Sequence, residues 1–306
     1  MKNSEYIHEI REKLSQYLNT NAQDVKISNT AVARGVGLSG AVISQFLQDK
    51  YPGDNRKVAK TIDAWLKRQN ERLAHADILT NTIETRAVKK VFQVARLCHI
   101  EGEMGVATGD AGIGKTRGIK YYAAQNPDVI MIEIFPGFTT RTLMSKLHKE
   151  LGYNGTGTIF DMFSDVVDRL RGSGRLIIVD EAESLPYKGL ELLRRLYDLS
   201  GTGILLVGMP ELIANLRGNK GEYKQLYSRI AVHAQIPNMK ESPEDIQALV
   251  ASAIPGSNGL WKAFYSVTHN GRQLEKLLKR SIQVANHNGT DVTKEVVQNA
   301  KQYIII

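Results

Sequence analysis

The stretch MGVATGDAGIGKT, residues 104–116, decides how this chain is read. Its first five residues are small or apolar and run into glycine, as a buried strand does. The rest, Gly109, Asp110, Ala111, Gly112, Ile113, Gly114, Lys115 and Thr116, fit the pattern G-x-x-x-x-G-K-S/T. The three glycines permit a turn in which successive backbone N–H groups face one point, while Lys115 adds a cation and Thr116 a hydroxyl. Such a set suits a polyphosphate carrying a divalent cation, with the N–H groups and the lysine on phosphate oxygens and the hydroxyl on the metal. A helix starting near Thr116 turns its positive end toward the same point. Residues 109–116 are therefore expected to bind ATP, with Thr116 as a Mg2+ ligand.

Downstream, LIIVDE at 176–181 has the form of a buried strand ending in two acids. At the carboxyl edge of a parallel sheet it would bring both acids beside the glycine-rich loop. Asp180 would hold the magnesium, directly or through water, and Glu181 would orient and activate the attacking water. Further β-type runs at 129–134, 204–207 and 231–236 alternate with amphipathic helical stretches, which predicts a parallel sheet covered by helices. Tyr227-Ser228-Arg229-Ile230 precedes the last run. Oligomeric ATPases place an arginine there that reaches a neighbour's γ-phosphate, although an ordinary surface arginine at a helix end also fits. Met209 ends the fourth run, and a thioether cannot supply the hydrogen bond that a polar sensor residue makes to phosphate or water.

The 306 residues are enough for more than one domain, and a hydrophobic share of 42% with 24% charged residues is ordinary for a globular chain. One cysteine, Cys98, excludes an intrachain disulfide framework, and the seven histidines lack metal-ligand spacing. The opening MKNSEYIHEIREKL has no apolar signal-peptide core, and no apolar run approaches bilayer-spanning length, so an intracellular protein is expected. The closing Tyr-Ile-Ile-Ile reads as the end of a packed helix or strand. A net charge of +8 favours a polyanionic partner. Texture divides the chain into a region of short helices at 1–75, a linker at 76–84, the α/β region at 85–240 and a wholly helical region at 241–306. In the last, SPEDIQALVASA opens with a serine cap, a proline and two acids, and NGRQLEKLLKRSIQVANHNG is a helix closed by Asn-Gly.

Near the N-terminus, residues 29–48 follow a helix-turn-helix pattern. Val32, Ala33 and Val36 face inward, Gly37 allows the turn, Leu38 packs beneath it, and Ser39 caps a second helix whose inner face is Ile43 and Phe46. Gly40, Ser44, Gln45 and Gln48 face outward, small or polar groups suited to a DNA groove. A helix-turn-helix serving protein contacts has the same pattern. Lys50, Arg56, Lys57 and Lys60 would reach phosphates or form a solvated face.

Taken in order, these motifs resemble one family over nearly the whole chain. ISQFLQDKYPGDNRKVAKTIDAWL, IETRAVKKVF, GDAGIGKT, LIIVDEAESL and LYSRIA are similar to the transposition B proteins of phage Mu type, AAA+ ATPases that activate target DNA. The resemblance implies an α/β fold: a P-loop AAA+ ATPase with a parallel sheet and a C-terminal helical lid, preceded by an all-α helix-turn-helix domain. It also implies a DNA-stimulated ATPase of the bacterial host cytoplasm that binds double-stranded DNA non-specifically in its ATP form. Such a protein assembles into helical filaments, delivers the DNA to a cognate transposase and stimulates strand transfer. The phosphate contacts of non-specific binding fit the basic charge. Thr139, Thr140 and Arg141 lie where related ATPases present residues to bound DNA, with Lys146 and Arg195 as weaker choices. Arg272, Lys276, Lys279 and Arg280 form a basic helix face that fits either DNA or an acidic transposase tail. Two departures stand out: Met209 replaces an expected asparagine, and Gly271-Arg272-Gln273-Leu274 lacks an arginine three residues after the glycine. A transcription regulator switched by ATP is the alternative, and a secretion ATPase is disfavoured because no membrane segment is seen.

Overall fold

Side chains alternate in direction along a strand, so a strand that is apolar at every position must be covered on both sides. Three strands meet that condition: β1 (Met104–Thr108), β3 (Leu176–Asp180) and β4 (Gly203–Gly208) are buried throughout. The flanking strands, β2 (Val129–Glu133) and β5 (Ile230–Gln235), are buried only in part and form the edges. All pairings are parallel, in the order β2-β3-β4-β1-β5.

This computed structural model describes residues 2–19, 28–76, 83–218 and 223–304, with residues 2, 3 and 71–76 described by their backbone alone. The expected linker at 76–84 lies largely outside the described residues. The chain divides into two units, Met1–Thr80 and Asn81–Ile306.

In the second unit, α5 (Arg86–Glu101) and α6 (Lys115–Gln125) cover one face of the sheet. Val91, Val94 and Cys98 of α5 meet Ile178, Leu205 and Val207 there. Burial pushes the Cys98 thiol up to about 12, so it packs as an apolar group. The other face carries α7 (Thr140–Glu150), α8 (Ile159–Leu170) and α9 (Tyr187–Ser200), with α10 (Glu211–Arg217) and α11 (Lys224–Tyr227) beside them. Leu143, Leu147, Val166 and Leu193 pack there against Ile177, Val179 and Leu206. The C-terminal helices are α12 (Pro243–Ala253), α13 (Trp261–Tyr265), α14 (Gly271–Asn288) and α15 (Lys294–Lys301).

One sequence expectation changes in this region. Ser242 occupies the cap position of α12, yet its hydroxyl makes no cap bond and is buried without a hydrogen-bond partner. The extended geometry that normally aims a capping oxygen is missing there, since ψ is 67°. The closing Tyr-Ile-Ile-Ile follows α15, which buries Val296, Val297 and Ala300 and stops at Lys301; Tyr303 is exposed, and residues 305–306 lie outside the described residues.

The first unit contains α1 (Lys2–Asn19), α2 (Asn29–Val36), α3 (Gly40–Leu47) and α4 (Asn55–Ala76). The outer helices are long, 18 and 22 residues, rather than short. Between α2 and α3, Gly37 takes φ 71°, and Ser39 accepts from the Val42 N–H. Ile10 and Leu14 of α1 and Ile62 and Trp65 of α4 close a core around Val32, Ala33, Ile43 and Phe46. Arg11 lies along the Phe46 ring and donates to the Phe46 carbonyl at 2.7 Å, satisfying a carbonyl in the last turn of α3.

Candidate functional site

A parallel sheet gathers the loops that follow its strands at one edge, and a ligand site forms there. The loop after β1 runs beside the end of β4, with the Gly109 N–H donating to the Gly208 carbonyl at 3.2 Å. Gly112 (φ 76°) and Gly114 (φ 106°) make the turn, whereas Gly109 is not among the positive-φ glycines. The Lys115 ammonium donates to the carbonyls of Gly109 at 2.6 Å and Asp110 at 2.9 Å, with the Met209 sulfur 4.0 Å away. Burial pushes Lys115 below the ordinary lysine range, while Glu183, Glu181, Asp180 and Asp110 pull the other way. A phosphate entering the loop would give this cation a directly bonded anion in place of two neutral carbonyls.

Thr116, on the first turn of α6, donates its hydroxyl to Asp180 Oδ2 at 2.7 Å. The second carboxylate oxygen, Oδ1, accepts the Glu181 N–H at 3.1 Å. Asp180 is 1% exposed. Burial raises its carboxyl above the usual range, against the opposing pull of these two hydrogen bonds. A hydroxyl and a carboxylate thus converge beside the phosphate loop. Among the described residues no cluster of three or more His, Cys, Asp or Glu could hold a metal alone. Magnesium suits such a sparse protein set, since it takes one or two carboxylates and completes its shell with phosphate and water.

Glu181 follows with φ 54° and ψ 37°, in the left-handed region that a glutamate rarely enters. Its carboxyl is pushed up by partial burial, and next by the charge of Glu183 and a hydrogen bond to it. Glu183 was not singled out from the sequence. It comes into the site because Ala182–Ser184 forms a single 3-10 turn that folds the chain back. Its Oε2 is buried without a hydrogen-bond partner and presses on Gly208, where an added Cβ would lie 2.1 Å from it.

Arg229 stands elsewhere. It precedes β5, whose Ile230 pairs with Met104, so it lies at the edge of the sheet opposite the phosphate loop. Five residues of β1 separate the two, roughly 15 Å of strand. Arg229 Nε donates to Asp198 at 2.8 Å, and Asp198 also accepts from Arg194.

The candidate DNA residues fall into two groups. Thr139 caps α7 by accepting the Thr142 N–H at 3.1 Å, Thr140 is the first residue of that helix, and Arg141 donates to the Gly157 carbonyl at 2.9 Å. Lys146 lies over Phe138 and Phe135, 5.2 and 5.9 Å from the ring centres, and Phe135 is 55% exposed. Ser44 and Gln45 belong to the first unit, on α3. Arg195 is drawn to Glu191 at 3.5 Å, and Lys279 to Glu275 at 2.8 Å, which leaves Arg272, Lys276 and Arg280 as the exposed lysine and arginine residues of α14.

The C-terminal helices meet the phosphate loop and the start of α5 through contacts that the sequence did not announce. Asn270 donates from Nδ2 to the Ala111 carbonyl at 2.6 Å. Asp245 of α12 accepts the Arg86 N–H at 3.0 Å on each oxygen, and Glu244 pairs with the Arg86 guanidinium, so α12 caps α5.

The sheet order, the phosphate loop and the Asp-Glu pair define an ATP-binding P-loop ATPase of the AAA+ class. The family model described as an AAA domain matches residues 100–216. In structure the chain is similar to the Aeropyrum pernix ORC2 protein in its ADPNP–ADP complexes, with a TM-score of 0.58 and 17% identity over 74% of this chain and 70% of that one. In sequence it is 30% identical to the ATP-dependent target DNA activator B of Escherichia phage D108 over 92% of each chain. It is likewise 30% identical to the protein of that name from Escherichia phage Mu, over 76% of this chain and 75% of the relative. The Mu-like prophage FluMu DNA transposition protein B of Haemophilus influenzae is 27% identical over 87% of this chain. The chain belongs to the family of ATP-dependent target DNA activator B proteins.

Proposed function

We propose that this protein binds DNA of arbitrary sequence in its ATP form, oligomerises along it as a helical filament, delivers it to a cognate transposase and stimulates strand transfer. One observation carries the ATP-dependent part. The Thr116 hydroxyl and the Asp180 carboxylate meet at 2.7 Å beside Lys115 and Glu181, in a chain whose relatives are named target DNA activators. Bound magnesium would neutralise charge on the β- and γ-phosphates, and Thr116 and Asp180 are the residues that would hold it. Glu181 would orient water and take its proton. Lys115 would leave the Gly109 and Asp110 carbonyls for phosphate oxygens. Met209 next to Lys115 offers no hydrogen bond of sensor type, which favours slow turnover.

The DNA-binding part rests on charge and position. The net charge of +8 suits phosphate contacts, and Thr139, Thr140 and Arg141 stand at the start of α7, with Lys146 further along it. Ser44 and Gln45 on the helix-turn-helix are a second candidate surface. The test is electron microscopy of the protein on arbitrary duplex DNA, with and without ATP. Filaments are expected only with ATP, and Lys115→Ala should form none. Binding confined to one short sequence, without assembly, would replace this reading with that of an ATP-switched transcription regulator.

A further inference from the structure

Asn270 uses both ends of its side-chain amide. Oδ1 accepts the N–H groups of Arg272 and Gln273 at 3.0 and 3.2 Å, capping α14. Nδ2 donates to the Ala111 carbonyl at 2.6 Å, across 159 residues of sequence. The first bond pair is ordinary helix capping, for which asparagine and aspartate serve equally. The second is not needed by the helix at all.

The approach is close enough to dictate two glycines. A Cβ on Gly112 would lie 2.4 Å from Asn270 Oδ1, and a Cβ on Gly271 would lie 2.7 Å from the Gly112 carbonyl and 3.0 Å from Met239 Cε. Gly112 also has φ 76°, so its glycine is required twice over. Gly271 has no such backbone demand, and the nearness of the loop backbone, with Met239 beside it, is what excludes a side chain there.

A trans peptide points its C=O and N–H in opposite directions. Ala111 C=O and Gly112 N–H belong to one peptide plane. With the carbonyl held outward by Asn270, the Gly112 N–H is turned inward, the orientation that a phosphate-binding loop needs. We propose that Asn270 is a positioning residue for nucleotide: through the Ala111 carbonyl it aims the Gly112 N–H at the phosphates and joins the α14 helix to the state of the loop. The inference depends on nucleotide binding by residues 109–116 and is independent of any role in DNA binding.

Asn270→Asp separates the two functions of the side chain, since aspartate keeps the cap and loses the donor. The measurements are the affinity for ADP in the absence of DNA, the thermal midpoint without nucleotide, and the Gly112 amide resonance in 15N spectra. Loss of one hydrogen bond of ordinary strength predicts ADP binding about five- to tenfold weaker. The Gly112 resonance should move, while the midpoint stays near that of the unaltered protein. Gly271→Ala, which pushes the helix off the loop and leaves Asn270 in place, should weaken ADP binding in the same direction. Unchanged ADP affinity together with an unmoved Gly112 resonance in Asn270→Asp would overturn the proposal, whatever happens to the midpoint.

Discussion

Glu181 combines an acid beside the phosphate loop with a backbone at φ 54° that costs an L-residue about 1 kcal/mol or more. That cost and the nearby charge of Glu183 both act against Glu181 in the resting protein, and both are understandable if its carboxylate must face a water molecule. Glu181→Gln keeps the size and removes the base. Turnover measured by phosphate release should fall by about 100-fold or more. ATP affinity should stay close to that of the unaltered protein, and the DNA complex should survive a salt or competitor challenge for longer. Turnover within a few-fold of normal would remove Glu181 from the chemistry. At this scale, Lys115, Thr116, Asp180 and Glu181 could be chosen from the sequence because each sits inside a contiguous motif whose chemistry is local. Glu183 and Asn270 could not, because their partners, Gly208 and Ala111, are brought to them by chain folding.

Among the elements, the union of α12 with α5 is the least expected. Asp245 is a buried acid that caps a helix other than its own. Burial raises its carboxyl above the ordinary range, and the Arg86 N–H and charge only partly oppose this. The sign follows from linkage: the folded protein holds this proton more tightly than the unfolded chain, so the Asp245 contribution to stability declines as pH rises from about 4 through the raised value. Asp245→Asn keeps an acceptor for the Arg86 N–H and carries no charge. By urea unfolding it should be at least as stable as the unaltered protein at pH 7, with the difference vanishing below the ordinary carboxyl range. Asp245→Ala leaves that N–H unmatched and should lose about 1 kcal/mol. If asparagine proved as harmful as alanine, the charge would matter more than the acceptor. All five strands were legible to within a residue or two at their ends, because the three central strands are buried throughout and the flanking pair still turn residues such as Ile130, Ile132 and Ala234 into the core. The short helix α13 was missed, since WKAFY is too brief to show a helical period.

At the scale of the whole molecule, Arg229 and the phosphate loop lie at opposite edges of one sheet, so no single chain brings them together. If Arg229 serves ATP, it serves the ATP of a neighbour, and a head-to-tail contact repeated without closure makes a filament. Its present partner can be given up at small cost, because Asp198 keeps Arg194 when Arg229 leaves. Arg229→Ala should therefore bind ATP normally and hydrolyse it poorly. Mixing supplies the stronger test. A Glu181→Gln subunit cannot hydrolyse its own ATP but still presents Arg229. An Arg229→Ala subunit keeps Glu181 and lacks only the neighbour's arginine. Each variant alone should be nearly inactive on DNA, and an equal mixture should recover turnover wherever a Glu181→Gln subunit presents its arginine to an Arg229→Ala subunit. Recovery should rise with the fraction of mixed contacts and disappear when protein is diluted below assembly. If the two variants co-assemble on DNA and no turnover returns at any ratio, Arg229 does not act across the interface, and its bond to Asp198 is its whole role.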